Sequence, residues 1–197
     1  MDCACAFVCR NYGACFTLIK GLLKMDLYII RHGESQGNVG IEVDDPHLTE
    51  LGQKQAELLA LRLRNINFDA ILSSPLTRAV QTATPLAELR GKDITVLHEL
   101  HEVGAYGEES LADVQKRAER VVKKIRAEYG EKENVIAFAH GTFNNHFIKA
   151  ACGITSGEDF NFCQENTGVT IVRFIIDNGK PRIKLELANC GKHLENL

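Results

Sequence analysis

The chain lacks any apolar stretch approaching the roughly 20 residues that a membrane-spanning helix needs. It lacks an excess of basic residues, and it has no pair of cysteines at CxxC spacing. Each shortage removes a class of protein. With 23 Lys+Arg against 26 Asp+Glu, the formal net charge is -3. That leaves no broad basic surface to neutralise a phosphate backbone, so neither a nucleic acid nor a membrane is expected as a partner, and a cytoplasmic protein is expected. The seven cysteines form two groups, Cys3, Cys5, Cys9 and Cys15 near the start and Cys152, Cys163 and Cys190 through the rest. Neither group has metal-ligand spacing, so unpaired thiols are expected and no metal or other cofactor is called for. Internal repeats and low-complexity segments are absent too.

What is present is ordinary soluble composition, 45% hydrophobic and 25% charged over 197 residues, enough for one domain with a proper core. Residues 1–24 differ in character. They contain the apolar run Ala4-Cys5-Ala6-Phe7-Val8-Cys9 without the cationic start of a secretory signal, and the text changes abruptly at Met25-Asp26. We read 1–24 as an extension, poorly ordered or dispensable, with Met25 a workable start and 25–197 as a single catalytic domain.

Within 25–197, apolar runs alternate with amphipathic ones. Leu27-Tyr28-Ile29-Ile30 reads as a buried strand that delivers Arg31-His32-Gly33-Glu34 to a loop. Thr49 stands as an N-cap for a helix through about Arg64, with Leu51, Leu58 and Leu59 as its stripe. A short strand, Phe68-Asp69-Ala70-Ile71-Leu72, ends at Ser73-Ser74-Pro75. There Ser74 can cap and Pro75 can open a helix carrying Arg78, Ala79, Val80 and Ala83, with Pro85 expected to kink or interrupt it. Residues 94–97 form a third strand. Ser110-Leu111-Ala112-Asp113 resembles a capping box for a helix burying Val114, Ala118, Val121, Val122 and Ile125 and ending at Gly130. The continuous apolar run 134–139 is a buried parallel-type strand that leads into His140-Gly141-Thr142 and a helix stopping near Gly153. Two closing strands, 170–176 and 183–187, complete a three-layer α/β/α sandwich around a mainly parallel sheet.

Parallel strands present their carboxyl ends on one side, where open α/β sheets bind ligands. Arg31 and His32 after the first strand, Arg78 in the helix after the second, and His140 after the 134–139 run are therefore placed to converge. Two guanidinium forks and two imidazoles around one point suit a phosphoryl group, whose transfer needs in-line positioning and positive charge at its equatorial oxygens.

The residues Arg31-His32-Gly33-Glu34-Ser35 with Asn38, Leu48-Thr49 with Gly52, Gln55 and Ala56, and Ser73-Ser74-Pro75-Leu76 with Arg78, Ala79, Gln81, Thr82 and Ala83 form an ordered series. It continues with Leu97-His98-Glu99, Gly107-Glu108-Glu109-Ser110 with Arg117, and Ala139-His140-Gly141. From Met25 onward the chain resembles the phosphoglycerate mutase-like histidine phosphatases. The resemblance implies that His32 is a nucleophile forming a phosphohistidine and that Arg31, Arg78 and His140 form the phosphate pocket, with Asn38 and the backbone N–H of Gly141 assisting. It places the general acid at Glu99. Glu102 is the alternative, because the segment is offset from the family's spacing; Glu99 is preferred because it follows the strand directly. An imidazole, neutral at pH 7 and kept so by nearby cations, can attack without a separate base.

His98 and His101 bracket Glu99, but they lie at i, i+3 beyond a strand rather than at i, i+4 on a helix, so they read as loop histidines rather than zinc ligands. Glu34, beside Arg31, reads as an orienting ion-pair partner. The short segment 104–110 leaves little room for the cover of a mutase, so an open, wet site and hydrolysis are expected, with mutase activity by the same phosphohistidine as the alternative. A non-catalytic phospholigand scaffold would need a missing group, and none is missing. The expected substrate is a small phosphorylated metabolite, its identity set by 39–46, 101–109 and 142–146, with phosphoproteins still open. Phe160, Phe162 and the closing segment are core or interface, which leaves a homodimer open.

Overall fold

The computed structural model describes residues 24–130, 134–154, 160–195 and 197, so the early cysteines and the reading of 1–23 lie outside the described residues. Six strands form one sheet in the order β3-β2-β4-β1-β5-β6. Strands β1 (Lys24–Arg31), β2 (Ala70–Ser73), β3 (Ile94–Val96) and β4 (Asn134–Ala139) run parallel. Strands β5 (Val169–Asp177) and β6 (Lys180–Cys190) complete the sheet antiparallel.

Successive residues of a strand face opposite sides, so each central strand feeds two cores. On one face Leu27, Ile29, Leu72, Val135 and Ala137 pack against α3 (Leu111–Tyr129) and α4 (Gly141–Ala151). On the other, Tyr28, Ile30, Ile71, Ile136 and Phe138 pack against α1 (Glu50–Leu63) and α2 (Thr77–Arg90). The sandwich is therefore α/β/α, and central strands covered on both faces explain the unbroken apolar runs of β1 and β4. Asp26 on β1, 3% exposed, takes a bidentate pair from Arg173 opposite it on β5 (2.6 and 2.8 Å), which fixes the antiparallel register. Asn178 and Gly179, at φ 49° and 75°, make the two-residue hairpin turn that lets β6 run on well beyond 183–187.

Two helix readings change. Ser74 does not cap α2; its hydroxyl is engaged elsewhere, the chain stays extended through Leu76, and the helix starts at Thr77. The Thr77 N–H and hydroxyl are instead taken by the carboxylate of Asp45, from the loop before α1. Pro85 sits inside α2 without interrupting it, on the half-exposed side, where water can serve the carbonyl that loses its N–H partner. In α1, Leu51 is exposed; Gly52, Gln55, Ala56, Leu59, Ala60 and Leu63 form the buried face. In α3 the expected cap and apolar face are present, with Arg117 buried among them. Among the described residues, no helix is long and apolar enough to cross a membrane.

The connection from β1 runs over the α1 face towards β2, whereas that from β4 runs over the α4 face towards β5. Adjacent strands whose connections diverge open a crevice at their carboxyl ends. Arg31-His32 and His140-Gly141 stand at that crevice.

Candidate active site

Each strand exit is pinned to its neighbour: His32 N–H donates to Ala139 (3.0 Å) and Ser74 N–H to Phe138 (2.9 Å). After His32 the chain passes directly over the first turn of α1. A Cβ on Gly52 would lie 1.9 Å from the Glu34 carbonyl oxygen, and one on Gly33 would lie 2.6 Å from that of Gly52, so both positions require glycine by close approach. Side chains clamp this crossing. Thr49 caps α1 through Gly52 N–H and donates to the Glu34 carboxylate at 2.7 Å, Glu34 N–H donates to Gln55, and Gly33 N–H donates to Thr82. Glu34 thus orients the loop through Thr49; among the described residues it makes no ion pair with Arg31.

The crevice holds a cavity of about 490 Å³ whose lining includes Arg31, His32, Asn38, Arg78 and Gly141. His140 is fully buried with its ring centroid 5.1 Å from that of His32. The sequence-expected phosphate residues therefore come together. The His32 Nδ1–H donates to its neighbour's carbonyl, Gly33 O, at 2.7 Å, which leaves the Nε2 lone pair for the cavity side, where Arg78 Nε–H donates to it at 3.2 Å. Burial pushes the His32 imidazole down to about 3, the Gly33 carbonyl opposing and Arg78 and Arg31 assisting, so the ring is neutral at pH 7. His140 is also held well below its ordinary 6.5, by burial first and then by His32 and the arginines.

Ser74 was not anticipated as a site residue. Its hydroxyl lies 2.7 Å from His140 Nε2 and accepts Leu76 N–H at 3.3 Å. With the hydroxyl donating to Nε2, the imidazole proton sits on His140 Nδ1, a buried atom with no partner among the described residues. Arg31 donates through Nη1 to Gln164 O at 2.6 Å, while its buried Nε has no partner. Gly141 lies flat against this guanidinium, where an added Cβ would come 3.4 Å from Nε. The Asn38 carbonyl oxygen accepts from Ser35 and Asn166, which leaves its amide N–H groups as donors. Asn166 also holds His32 O, and Thr167, strained at φ 56°, donates its N–H to Arg31 O.

The fold does not bring Glu99 to the cavity, and His140 stands behind its lining, against the His32 ring. The Glu99 carboxylate pairs with Lys124 of α3 at 3.6 Å, and Glu102 lines the cavity instead. Glu102 accepts from Val103, Thr142 and Phe143 N–H (2.8, 3.2 and 3.0 Å), seated on the N-terminus of α4. Burial lowers both Arg31 and Arg78 from their ordinary value, and Glu102 is the leading charge that opposes this in each case. Arg117, 4% exposed, fixes the turn between the two glutamates: it donates to the carbonyls of Glu99 (2.8 Å) and His101 (2.9 Å) and forks onto Glu109. His98 and His101 stack with Tyr106 (4.6 and 5.0 Å), and among the described residues no cluster of three metal-ligating side chains forms. The far wall comprises Thr142, Asn145, Asn161, Phe162 and Gln164. Only Thr142 and Asn145 fall in the segments expected to set specificity; Asn161 and Gln164 come from an irregular stretch without periodicity to betray them.

A neutral imidazole with its lone pair towards a cleft, two guanidinium groups and buried donors without partners is the equipment of a phosphoryl-transfer protein on an α/β scaffold. The histidine phosphatase superfamily (branch 1) model matches residues 27–106 and 104–187, and the chain belongs to that family. Phosphoserine phosphatase 1 of Hydrogenobacter thermophilus is 27% identical over 180 residues, 74% of this chain and 85% of that one. A 2,3-bisphosphoglycerate-dependent phosphoglycerate mutase of Thermoplasma acidophilum is 42% identical, but over 39% of this chain and 40% of the mutase. The solved phosphoserine phosphatase of Entamoeba histolytica in complex with phosphoserine superposes with a TM-score of 0.70 at 24% identity, covering 86% of this chain and 99% of that one, and so shares the fold.

Proposed function

We propose that the chain is a phosphomonoesterase that works through a phosphohistidine on His32 and needs no metal. The carrying observation is the tautomer: Nδ1–H is spent on Gly33 O, and Nε2 faces a cavity walled by Arg31 and Arg78. The two guanidinium groups supply the positive charge that the equatorial oxygens require. In the resting site Arg78 occupies the Nε2 lone pair; an arriving phosphate dianion draws the guanidinium to itself and frees the nucleophile. Arg31 Nε–H, Asn38, Gly141 N–H and His140 Nδ1–H serve the remaining phosphoryl oxygens.

Nε2 then attacks phosphorus, the P–O bond to the leaving group breaks, and the departing oxygen takes a proton from the protonated form of Glu102, which becomes a carboxylate. In the second step water attacks phosphorus, giving its proton to the Glu102 carboxylate, the N–P bond breaks, and phosphate leaves with Nε2 restored. The position of Glu102 in the cavity supports this role over Glu99, and its three N–H donors hold the carboxylate that receives the water proton. Only a turn joins Glu102 to Ser110 and α3, so the acid loop adds no helical cover over the site; this supports water as acceptor rather than a second hydroxyl. Similarity to phosphoserine phosphatase 1 over most of its length agrees with hydrolysis of small phosphorylated metabolites.

Phosphate release from p-nitrophenyl phosphate in chelator-treated buffer tests the reading, with a loss of at least ~10³-fold expected in His32→Ala. Labelled phosphate should be trapped on histidine after an alkaline quench. Full activity in His32→Ala would overturn the mechanism, and faster interconversion of 3- and 2-phosphoglycerate than phosphate release would make the mutase the better description.

A further inference from the structure

Charge divides the cavity sharply. Its floor carries Arg31 and Arg78, but the described residues of the three segments that contribute its walls bring no accessible Lys or Arg. Residues 35–46 contain no Lys or Arg, and residues 98–110, of which Glu102 lines the cavity, contain none either. In the described residues of the third, 142–154 and 160–164, the one Lys is Lys149, 5% exposed within α4.

The far wall is built of amides. Asn145 Nδ2 donates to Asn161 Oδ1 (2.8 Å) and Asn145 Oδ1 accepts Phe162 N–H (2.9 Å), which fixes both side chains and leaves Asn161 Nδ2 as a donor. Beside them Gln164 Oε1 is buried with no partner, while its Nε2 is committed to Cys163 O. An unpartnered buried acceptor requires a donor, and a carboxylate has none to offer. A hydroxyl has both the donor that Gln164 Oε1 requires and an acceptor for Asn161 Nδ2, and the Phe162 ring offers an apolar surface to C–H groups.

Resting on the phosphomonoesterase reading, we propose that the substrate is the phosphate monoester of an uncharged polyhydroxy alcohol, a sugar or polyol monophosphate, and that esters bearing a second anionic group are rejected. Glycerol 3-phosphate and 3-phosphoglycerate make the matched test, since they differ at one end in a hydroxymethyl against a carboxylate. Measured on the full chain at pH 8, kcat/KM should favour glycerol 3-phosphate by about tenfold or more, and added salt should narrow the gap. Asn161→Lys should lower that ratio about tenfold. A kcat/KM for 3-phosphoglycerate or O-phosphoserine equal to or above that for glycerol 3-phosphate overturns the inference. Hydrolysis of p-nitrophenyl phosphate separates the two readings: activity there with the carboxylated ester preferred sinks only the substrate class. Inactivity there and on every ester sinks the phosphomonoesterase reading and this inference with it. Should Asn161→Lys fail to fold, the ratio in the unaltered protein decides alone.

Discussion

Glu99 and Glu102 flank one turn, and that turn sends their carboxylates to different partners. The chain leaves β3, makes a short 3-10 turn at His98–Leu100 that buries Leu100, and directs Glu99 towards Lys124 and Glu102 onto the N-terminus of α4. Replacing the acid should hurt most where the leaving oxygen is most basic. Glu102→Gln is expected to lower kcat on an alkyl phosphate by about 10²–10⁴-fold, and on p-nitrophenyl phosphate by much less, because nitrophenolate departs with little protonation. Glu99→Gln should stay within about twofold on both, its ion pair being half-exposed and of small energy. Steady-state rates of the two variants on both esters check this; a Glu99→Gln enzyme crippled on alkyl esters, with Glu102→Gln intact, would reverse the assignment. His32, Arg31, Arg78 and His140 were legible because strand exits and helix starts fix them. Which of the two glutamates faces the cavity was not, since a three-residue turn carries no periodicity and its direction depends on the distant grip of Arg117.

Between elements, the loop after β1 and the first turn of α1 meet backbone to backbone, and this crossing sets where His32 points. Gly52→Ala would drive a methyl to 1.9 Å from the Glu34 carbonyl oxygen, an overlap that no rotamer relieves. We expect a loss of ~3 kcal/mol, which for a chain of this size lowers Tm by about 6–12 °C. Because Glu34 must yield, the His32 loop moves, and kcat should fall more than the fraction unfolded accounts for. Thermal melts and rates on the same preparation test this, and an unchanged Tm would show that the two backbones are not in contact. Local pattern reveals the two glycines only as spaced letters; their reason lies in a contact between separate elements. The same holds for α2, whose start is set by Asp45 from a preceding loop rather than by the adjacent Ser74 and Pro75. By contrast β1, β4 and the buried face of α3 follow directly from apolar periodicity, because there burial alone decides.

At the scale of the whole molecule, the sheet's switch point buries two imidazoles, and burial recurs at His193, pushed down to about 4, and at His146, also lowered. A histidine near 6.5 in the unfolded chain and near 3 in the fold binds its proton more readily when unfolded. Between those values the unfolded state holds more protons, so stability is full above about pH 6.5 and drains as pH falls towards 3. For His32, 3% exposed, the slope approaches about 1.4 kcal/mol per pH unit, and His140, His146 and His193 act in the same direction. Glu99 and Glu109, held below the carboxylate range by hydrogen bonds and by Lys124 and Arg117 respectively, lose their contribution only at lower pH still. The acid lability of this fold therefore begins in the histidine window. Urea denaturation from pH 7 down to pH 4.5 should show a steady fall in unfolding free energy beginning near pH 6.5. His32→Asn should flatten that curve by about 1.4 kcal/mol per pH unit over the lower half of the range. Stability independent of pH from 7 to 4.5 in the unaltered protein would mean that these rings are not neutral and buried, and the free lone pair on which the nucleophile depends would go with them.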